Sequence, residues 1–222
     1  MIPLRDNIAH RRFPVVTVSL IIVNTLVFLH EVSLGRYIQD FIYLYGFTPK
    51  YVFSQAPIMP KFMPFFTSMF LHAGWLHLIG NMWFLWIFAD NVEDVLGHFN
   101  FLIFYIACGL AASFAHFIMN INSVVPAVGA SGAIAGILGA YIVMFPRARV
   151  LTLVPVFIFL EVIEIPAFVF LGIWFIYQFF LGMMSVGSYG AGVAFWAHIG
   201  GFIAGILFLR LFFTNRSGYP RI

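Results

Sequence analysis

The chain has 222 residues, of which 63% are hydrophobic and only 9% charged, with a formal net charge of +3. Soluble domains carry roughly 25% charged residues, so this chain has too few charges to cover a water-facing surface, and lipid must surround most of it. The basic residues are scattered, with no run longer than Arg11-Arg12, which excludes a basic tract for nucleic acid.

Six stretches are apolar and long enough to predict membrane-spanning helices, each of which needs about 20 mostly apolar residues. We predict spans at 14–31, 75–91, 99–119, 131–146, 166–184 and 193–213. No convincing cleavage site follows the first stretch, so we interpret it as a retained span rather than a signal peptide. The predicted fold is an all-α polytopic membrane protein, a six-helix bundle that forms a single domain over residues 1–222.

Two connecting segments differ from the spans. Residues 32–74 are too polar and too rich in proline to cross a membrane, and we interpret them as an interfacial loop with short amphipathic turns. Residues 146–166, "PRARVLTLVPVFIFLEVIEIP", are rich in β-forming residues and carry two glutamates. We expect this second connector to lie on the membrane surface.

The distribution of basic residues predicts the orientation. With the N-terminus inside, the inner side holds eight arginines and the outer side holds three basic residues. Lysine and arginine concentrate in cytoplasmic segments, so we expect both the N- and the C-terminus to be cytoplasmic.

Four polar side chains stand out within the predicted spans: His77, Asn81, Ser131 and His198. Buried polar groups are costly in a bilayer and by default suggest function. Each also has a structural interpretation, Ser131 as a small packing residue and the others as interfacial or interhelical polar groups. Spans two, four and six run in the same direction, and a rise of 1.5 Å per residue places all four side chains within roughly 10 Å in depth. Their common depth favours a functional site.

Small residues spaced four apart predict which helices meet. They are Gly132 and Gly136 on span four, and Ala197, Gly201 and Gly205 on span six. Such stripes let backbones approach closely in lipid. Because Ser131 and His198 each lie next to a stripe, we expect the hydroxyl and the imidazole to come within hydrogen-bonding distance.

These groups suggest acyl transfer followed by hydrolysis of a peptide bond. A serine hydroxyl needs a neighbouring base, and His198 is the available one. Asn81 and His77, with the backbone N–H of Ser131, are candidate donors to an oxyanion. We expect no carboxylate to complete a triad at this depth, because the candidate acidic residues lie at the far end of span two and in the second connector. We therefore predict a Ser–His dyad.

Other hydrolytic chemistries lack their residues. The sequence contains no HExxH motif and no aspartate pair within the spans, and we expect neither a metal nor a cofactor. The single cysteine, Cys108, excludes an intrachain disulfide, and we interpret it as a small core residue.

The motifs "GASG" around Ser131, "AHIGGFIAG" around His198 and "HAGWLHLIGN" around His77 and Asn81 resemble those of the rhomboid family of intramembrane serine proteases. The resemblance implies a six-span core of the prokaryotic type, with His77 and Asn81 in the oxyanion site. It implies single-span membrane proteins as substrates, cut near the outer surface beside a small residue, and the plasma (inner) membrane of a prokaryote as location. His72 fits the first histidine of the third motif, and we expect it to shape the site.

The resemblance also implies that span five and the loop "SVGSYGAGV" take part in substrate entry, with the loop as a mobile cap. Two departures leave questions open. Met63 and Pro64 stand where family members often carry a Trp-Arg pair that anchors the first loop. Ala135 stands where some members place a tyrosine against the catalytic ring, so what orients His198 is open.

Two other functions are compatible with parts of the sequence. One is a catalytically silent rhomboid-like factor for membrane-protein quality control, although such relatives typically lack the serine or the histidine. The other is a small transporter or proton channel, which would need polar residues continuing through the inner halves of the spans.

Overall fold

The computed structural model describes residues 1–9, 11–156, 159–185 and 194–212. In chain order its elements are β1 (Ile2–Asp6), α1 (Val15–Ser33), α2 (Ile38–Tyr45), α3 (Ile58–Phe62), α4 (Pro64–Thr67), α5 (Trp75–Leu96), α6 (His98–Met119), α7 (Ser131–Met144), β2 (Arg149–Val156), β3 (Phe159–Pro166), α8 (Ala167–Ser185) and α9 (Phe195–Phe212). Short 3-10 turns occupy Gly35–Tyr37, Pro49–Phe53 and Ser68–Phe70. The protein is thus mostly helical, and a long helix occupies the position of each predicted span.

Length and composition qualify only some of these helices as membrane spans. Among the described residues, α1, α6 and α8 are long and apolar enough to cross a bilayer. A fourth qualifies if Ile58–Phe70 and α5, which meet at a bend of 74°, form one broken span. Helices α7 and α9 are apolar but shorter. The structure therefore supports three or four spans by these criteria, fewer than the six predicted.

Helix α7 lies at the centre of the bundle. Its residues from Gly132 to Tyr141 are all buried, as expected for a helix that is apolar or small on every face. Its glycine stripe packs against that of α9, and a Cβ on Gly205 would overlap the carbonyl oxygen of Gly136. At the same stripe, a Cβ on Gly136 would overlap the side chain of Cys108 on α6, which is itself buried in the core. The predicted contact between spans four and six is observed.

The loop between α1 and α5 is tied to the segment that precedes α7. Phe47 and Ala127 form an antiparallel bridge, with both N–H···O distances at 2.8–2.9 Å. Phe47 also packs on Phe65, with ring centroids 4.2 Å apart, and Thr67 Oγ1 donates to the carbonyl of Tyr45 at 2.7 Å. These contacts anchor the loop although Met63 and Pro64 replace the Trp-Arg pair.

A three-stranded antiparallel sheet, in the order β1-β2-β3, corrects the all-α prediction. The second connector is a hairpin in which Arg149 pairs with Pro166 and Val156 with Phe159. Its outer partner is β1, which the sequence analysis did not predict as a strand. The β-forming residues of β2 and β3 leave backbone groups on the edge of β2, and β1 pairs with them.

Polar contacts hold β1 and the start of α1 against α5. Trp83 Nε1 donates to the carbonyl of Pro3 at 2.6 Å, and Asn91 Nδ2 donates to the carboxylate of Asp6 at 2.8 Å. The buried carboxylate of Glu93 accepts the backbone N–H groups of Val16 and Thr17, both at 2.8 Å. Glu93 thereby supplies acceptors for the free N–H groups in the first turn of α1.

The segment interpreted as a mobile cap, 185–193, lies outside the described residues apart from Ser185.

Replacing Gly205 by alanine should lower the free energy of unfolding by about 1–3 kcal/mol, because the added methyl group meets the backbone of α7. Denaturant unfolding in detergent micelles measures this change. The matched control is Gly172→Ala in α8, where a Cβ meets no atom within 4 Å and should be neutral or stabilising. Equal stability of the two variants would contradict the packing described.

Candidate active site

Ser131 is the first residue of α7, and the loop before it is held in one conformation. The N–H of Gly129 donates to the carbonyl of Ser68 at 2.9 Å. Gly129 has a φ of +128°, a left-handed conformation that favours glycine. The half-buried Ser131 therefore presents its hydroxyl at the start of α7, where backbone N–H groups have no intrahelical acceptor.

His198 lies in the first turn of α9 and is buried. Its Nε2 atom is 2.7 Å from Ser131 Oγ, so the hydroxyl and the imidazole meet as predicted. The contact follows from the glycine stripes, which bring the starts of α7 and α9 together. Serine and base are thus in hydrogen-bonding geometry for nucleophilic attack.

The other ring nitrogen of His198 contacts a residue that the sequence analysis missed. Nδ1 lies 2.8 Å from Oε1 of Gln178, which is buried in α8. The indole of Trp174, one turn earlier on α8, lies 5.9 Å from the imidazole between ring centroids at an interplanar angle of 34°. The sequence signal that could have pointed to Gln178 was an amide side chain within an otherwise apolar helix.

Asn81 and His77 lie beside the loop that leads to Ser131. A Cβ built on Gly129 would lie 2.7 Å from His77 Nε2 and 3.4 Å from Asn81 Nδ2, so a side chain there would displace the His77 ring and touch the Asn81 amide. Asn81 is buried, and its Nδ2 has no hydrogen-bond partner among the described residues. His77 Nδ1 accepts the N–H of Ala73 at 3.4 Å. Nε2 of His77 and Nδ2 of Asn81 thus both face the loop before Ser131.

His72 packs behind His77 and is fully buried. The two rings meet edge to face with centroids 5.2 Å apart. Burial lowers the pKa of His72 to about 4, so the ring is neutral at pH 7. This placement agrees with the expectation that His72 shapes the site.

Glu31, at the end of α1, is a buried carboxylate next to the loop that carries His72. Its carboxylate is buried and accepts the backbone N–H of His72, at 3.2 and 3.3 Å from the two oxygens. The sequence analysis did not consider Glu31. The described contacts place it behind His72 and not at His198, where the partner is an amide.

A cavity of about 30 Å³ adjoins Ser131. Small residues form much of its wall, including Ala112, Gly132 and Ala197. His116, to which the sequence analysis gave no role, also lines it. Across the described ranges, no group of three or more histidine, cysteine or acidic side chains is arranged to hold a metal ion.

Comparison with known proteins identifies the class of this arrangement. Residues 60–215 match the model of the Rhomboid domain. Rhomboid protein 1, mitochondrial, of Saccharomyces cerevisiae is 30% identical over 173 residues, which cover 73% of this chain and 45% of the yeast protein. Rhomboid-like protein 11, chloroplastic, of Arabidopsis thaliana is 32% identical over 115 residues, which cover 51% of this chain and 40% of the plant protein. The chain spans less than half the length of these relatives.

The relatives correct the predicted location. Their names place them in chloroplasts and mitochondria, as does that of presenilin-associated rhomboid-like protein A, mitochondrial, of Danio rerio, which is 30% identical over 51% of this chain and 30% of its own length. The prediction of a prokaryotic plasma membrane is therefore wrong. It followed from the six-span pattern, which describes the membrane topology and carries no information about the organelle.

Replacing Glu31 by leucine should lower the free energy of unfolding by about 1–3 kcal/mol, because the buried N–H of His72 loses its acceptor. Thermal or denaturant unfolding in detergent tests this. Glu31→Gln keeps an acceptor oxygen of the same reach and serves as the matched control. If the leucine variant were as stable as the glutamine variant, the hydrogen bond would not support the loop.

Proposed function

The chain belongs to the rhomboid family, and on this basis we propose that it is an intramembrane serine endopeptidase that cleaves single-span membrane proteins. The observation that carries the proposal is the hydrogen bond of 2.7 Å between His198 Nε2 and Ser131 Oγ. A catalytically silent relative has no need of this pair. The presence and contact of both residues favour the protease.

The reaction uses the two residues in succession. His198 Nε2 accepts the hydroxyl proton as Ser131 Oγ attacks the carbonyl carbon of the substrate peptide bond. The resulting imidazolium donates that proton to the leaving amine, and the peptide bond breaks to leave an acyl-enzyme. Water then attacks the ester with His198 again as the base, which releases the acid and restores the serine.

Asn81 and His77 are proposed to stabilise the negative charge that develops on the carbonyl oxygen. The buried Nδ2 of Asn81 has no protein acceptor among the described residues, which leaves this donor available to an oxyanion. His77 Nε2 lies next to it, and the N–H of Ser131 at the start of α7 is a third donor. Donors held in place before the reaction need no reorganisation when the charge appears.

The surroundings of Ser131 favour a small residue beside the scissile bond. The adjoining cavity holds about 30 Å³ and is walled by alanine and glycine as well as His116. Gly132 and Ala197 line it where α7 packs against α9, so this part of the wall cannot recede without separating the two helices. This constraint agrees with the small residue that the family resemblance implies.

For the membrane topology, we propose that α1, α5, α6, α7, α8 and α9 all cross the bilayer as one domain. Both termini then lie on the arginine-rich side, and Ser131 lies towards the opposite side. The shorter helices α7 and α9 cross in the interior of the bundle, where neighbouring helices cover them. Buried apolar residues such as Phe88, Ile137 and Leu138 lie beneath the site, which argues against a transport path.

Purified protein in detergent should react at Ser131 with a fluorophosphonate probe and should cleave a single-span reporter. Ser131→Ala and His198→Ala should each lower cleavage by at least about 10³-fold, because nucleophile and base act as a unit. The control Ser19→Ala removes an exposed hydroxyl that bonds only its own helix and should leave cleavage unchanged. Undiminished cleavage by Ser131→Ala would refute the protease function.

Asn81→Ala should lower kcat by about 10²–10³-fold while KM changes little, because the amide acts on charge that exists only in the transition state. Steady-state cleavage of the same reporter separates the two constants. Asn100→Ala on α6 is the matched control, since that amide bonds the carbonyl of Leu96 in its own helix. A rise in KM at unchanged kcat would instead assign Asn81 to substrate binding.

A further inference from the structure

We propose that Gln178 is a positioning residue that sets the tautomer and the orientation of His198. The inference rests on the proposed function, in which His198 is the base. Its basis is the contact of 2.8 Å between Gln178 Oε1 and His198 Nδ1, on the side of the ring away from Ser131. Neither the motifs of the sequence nor the family resemblance pointed to this glutamine.

The amide lies where an unpaired polar group would be costly. Gln178 is 8% exposed, in a helix whose remaining residues are almost all apolar or aromatic. Burial of an amide in an apolar environment is unfavourable unless it is hydrogen-bonded. Because His198 Nδ1 provides that hydrogen bond, the contact holds the two side chains together.

The contact has a chemical consequence at the other ring nitrogen. A neutral imidazole carries one proton, and a base must present an unprotonated nitrogen to the hydroxyl. The carbonyl oxygen of an amide only accepts hydrogen bonds, so it selects the tautomer with the proton on Nδ1. Nε2 then directs its lone pair at Ser131 Oγ, which is the state that can take the proton.

Helix α8 also fixes the plane of the ring. Trp174 and Gln178 are four residues apart and therefore lie on the same face of α8. The indole lies beside the imidazole, and the amide oxygen contacts the Nδ1 atom at the edge of the imidazole ring. Ala135 on α7 has no side chain that could do either. The pair on α8 thus performs the orienting role that the sequence, with Ala135 on α7, left unassigned.

The amide differs from a carboxylate in the charge that it brings. Gln178 is neutral, and the titratable groups that act on His198 from neighbouring helices are the histidines His77 and His116. No anion in these contacts favours the imidazolium. Introducing one by Gln178→Glu should therefore raise the pH at which the base loses its proton.

The experiment compares Gln178→Met, which keeps the size but removes the acceptor, with Gln178→Glu, which keeps the acceptor. Gln178→Met should lower kcat by about 10- to 100-fold with little change in KM, the scale expected when the partner of a functional histidine is removed. Gln178→Glu should restore most of kcat and shift the acid limb of the pH profile of kcat/KM to higher pH. Gln39→Met, at an exposed glutamine on α2, is the matched control and should behave as the parent does.

Nitrogen-15 NMR of labelled histidine gives a readout that does not depend on cleavage, with the His198 signals assigned by their loss in His198→Ala. The parent protein should show His198 protonated on Nδ1, and Gln178→Met should show a mixture of tautomers. Unchanged kcat, pH profile and tautomer in Gln178→Met would overturn the inference. If the parent failed to cleave but Gln178→Met still altered the tautomer, the proposed function would fail and the positioning role would stand.

Discussion

The site depends on the close approach of two backbones. Where α7 and α9 pack, a Cβ on Gly201 or Gly205 would overlap a carbonyl group of α7. In lipid, such packing replaces the hydrophobic effect as the force that brings helices together, and it works only when neither helix carries a side chain at the contact. The distance between Ser131 Oγ and His198 Nε2 follows from this backbone contact more than from any property of the two side chains.

Within the described part of the chain, polar side chains gather around one end of this contact. Asn81 and His77 approach from α5, Gln178 from α8, and His72 with Glu31 supports His77 from behind. Each is buried or half-buried, and several would be costly in an apolar environment without a partner. A second polar group, around Glu93 and Asp6, occupies the opposite end and holds the N-terminal segment to α5. Apolar side chains such as Phe88 fill the volume between them, so the two groups serve separate purposes.

The sequence predicted features that depend on neighbouring residues and missed contacts between residues that are far apart in the chain. The small residues four apart, the polar side chains at a common depth and the long apolar stretches are local patterns, and each predicted a contact or an element that the structure contains. The pairing of β1 with β2 joins residues about 150 positions apart, and β1 is too short to carry a clear pattern. Gln178 was missed because one amide in an apolar helix does not reveal its partner. Glu31 was missed because the acidic residues that were weighed lay on span two and in the second connector.

The choice of an amide beside His198 has a physical reason in this setting. A carboxylate in a buried site loses hydration, and its attraction to the imidazole must offset that cost. The burial of an amide costs far less free energy, and its oxygen still accepts a hydrogen bond from the Nδ1–H group. An amide does not stabilise the imidazolium as a negative charge would. It also leaves the resting imidazole neutral, and a base must be neutral before it can accept a proton. For the intramembrane reaction proposed above, a neutral orienting residue would therefore keep the base ready without placing a charge in the interior of the bundle.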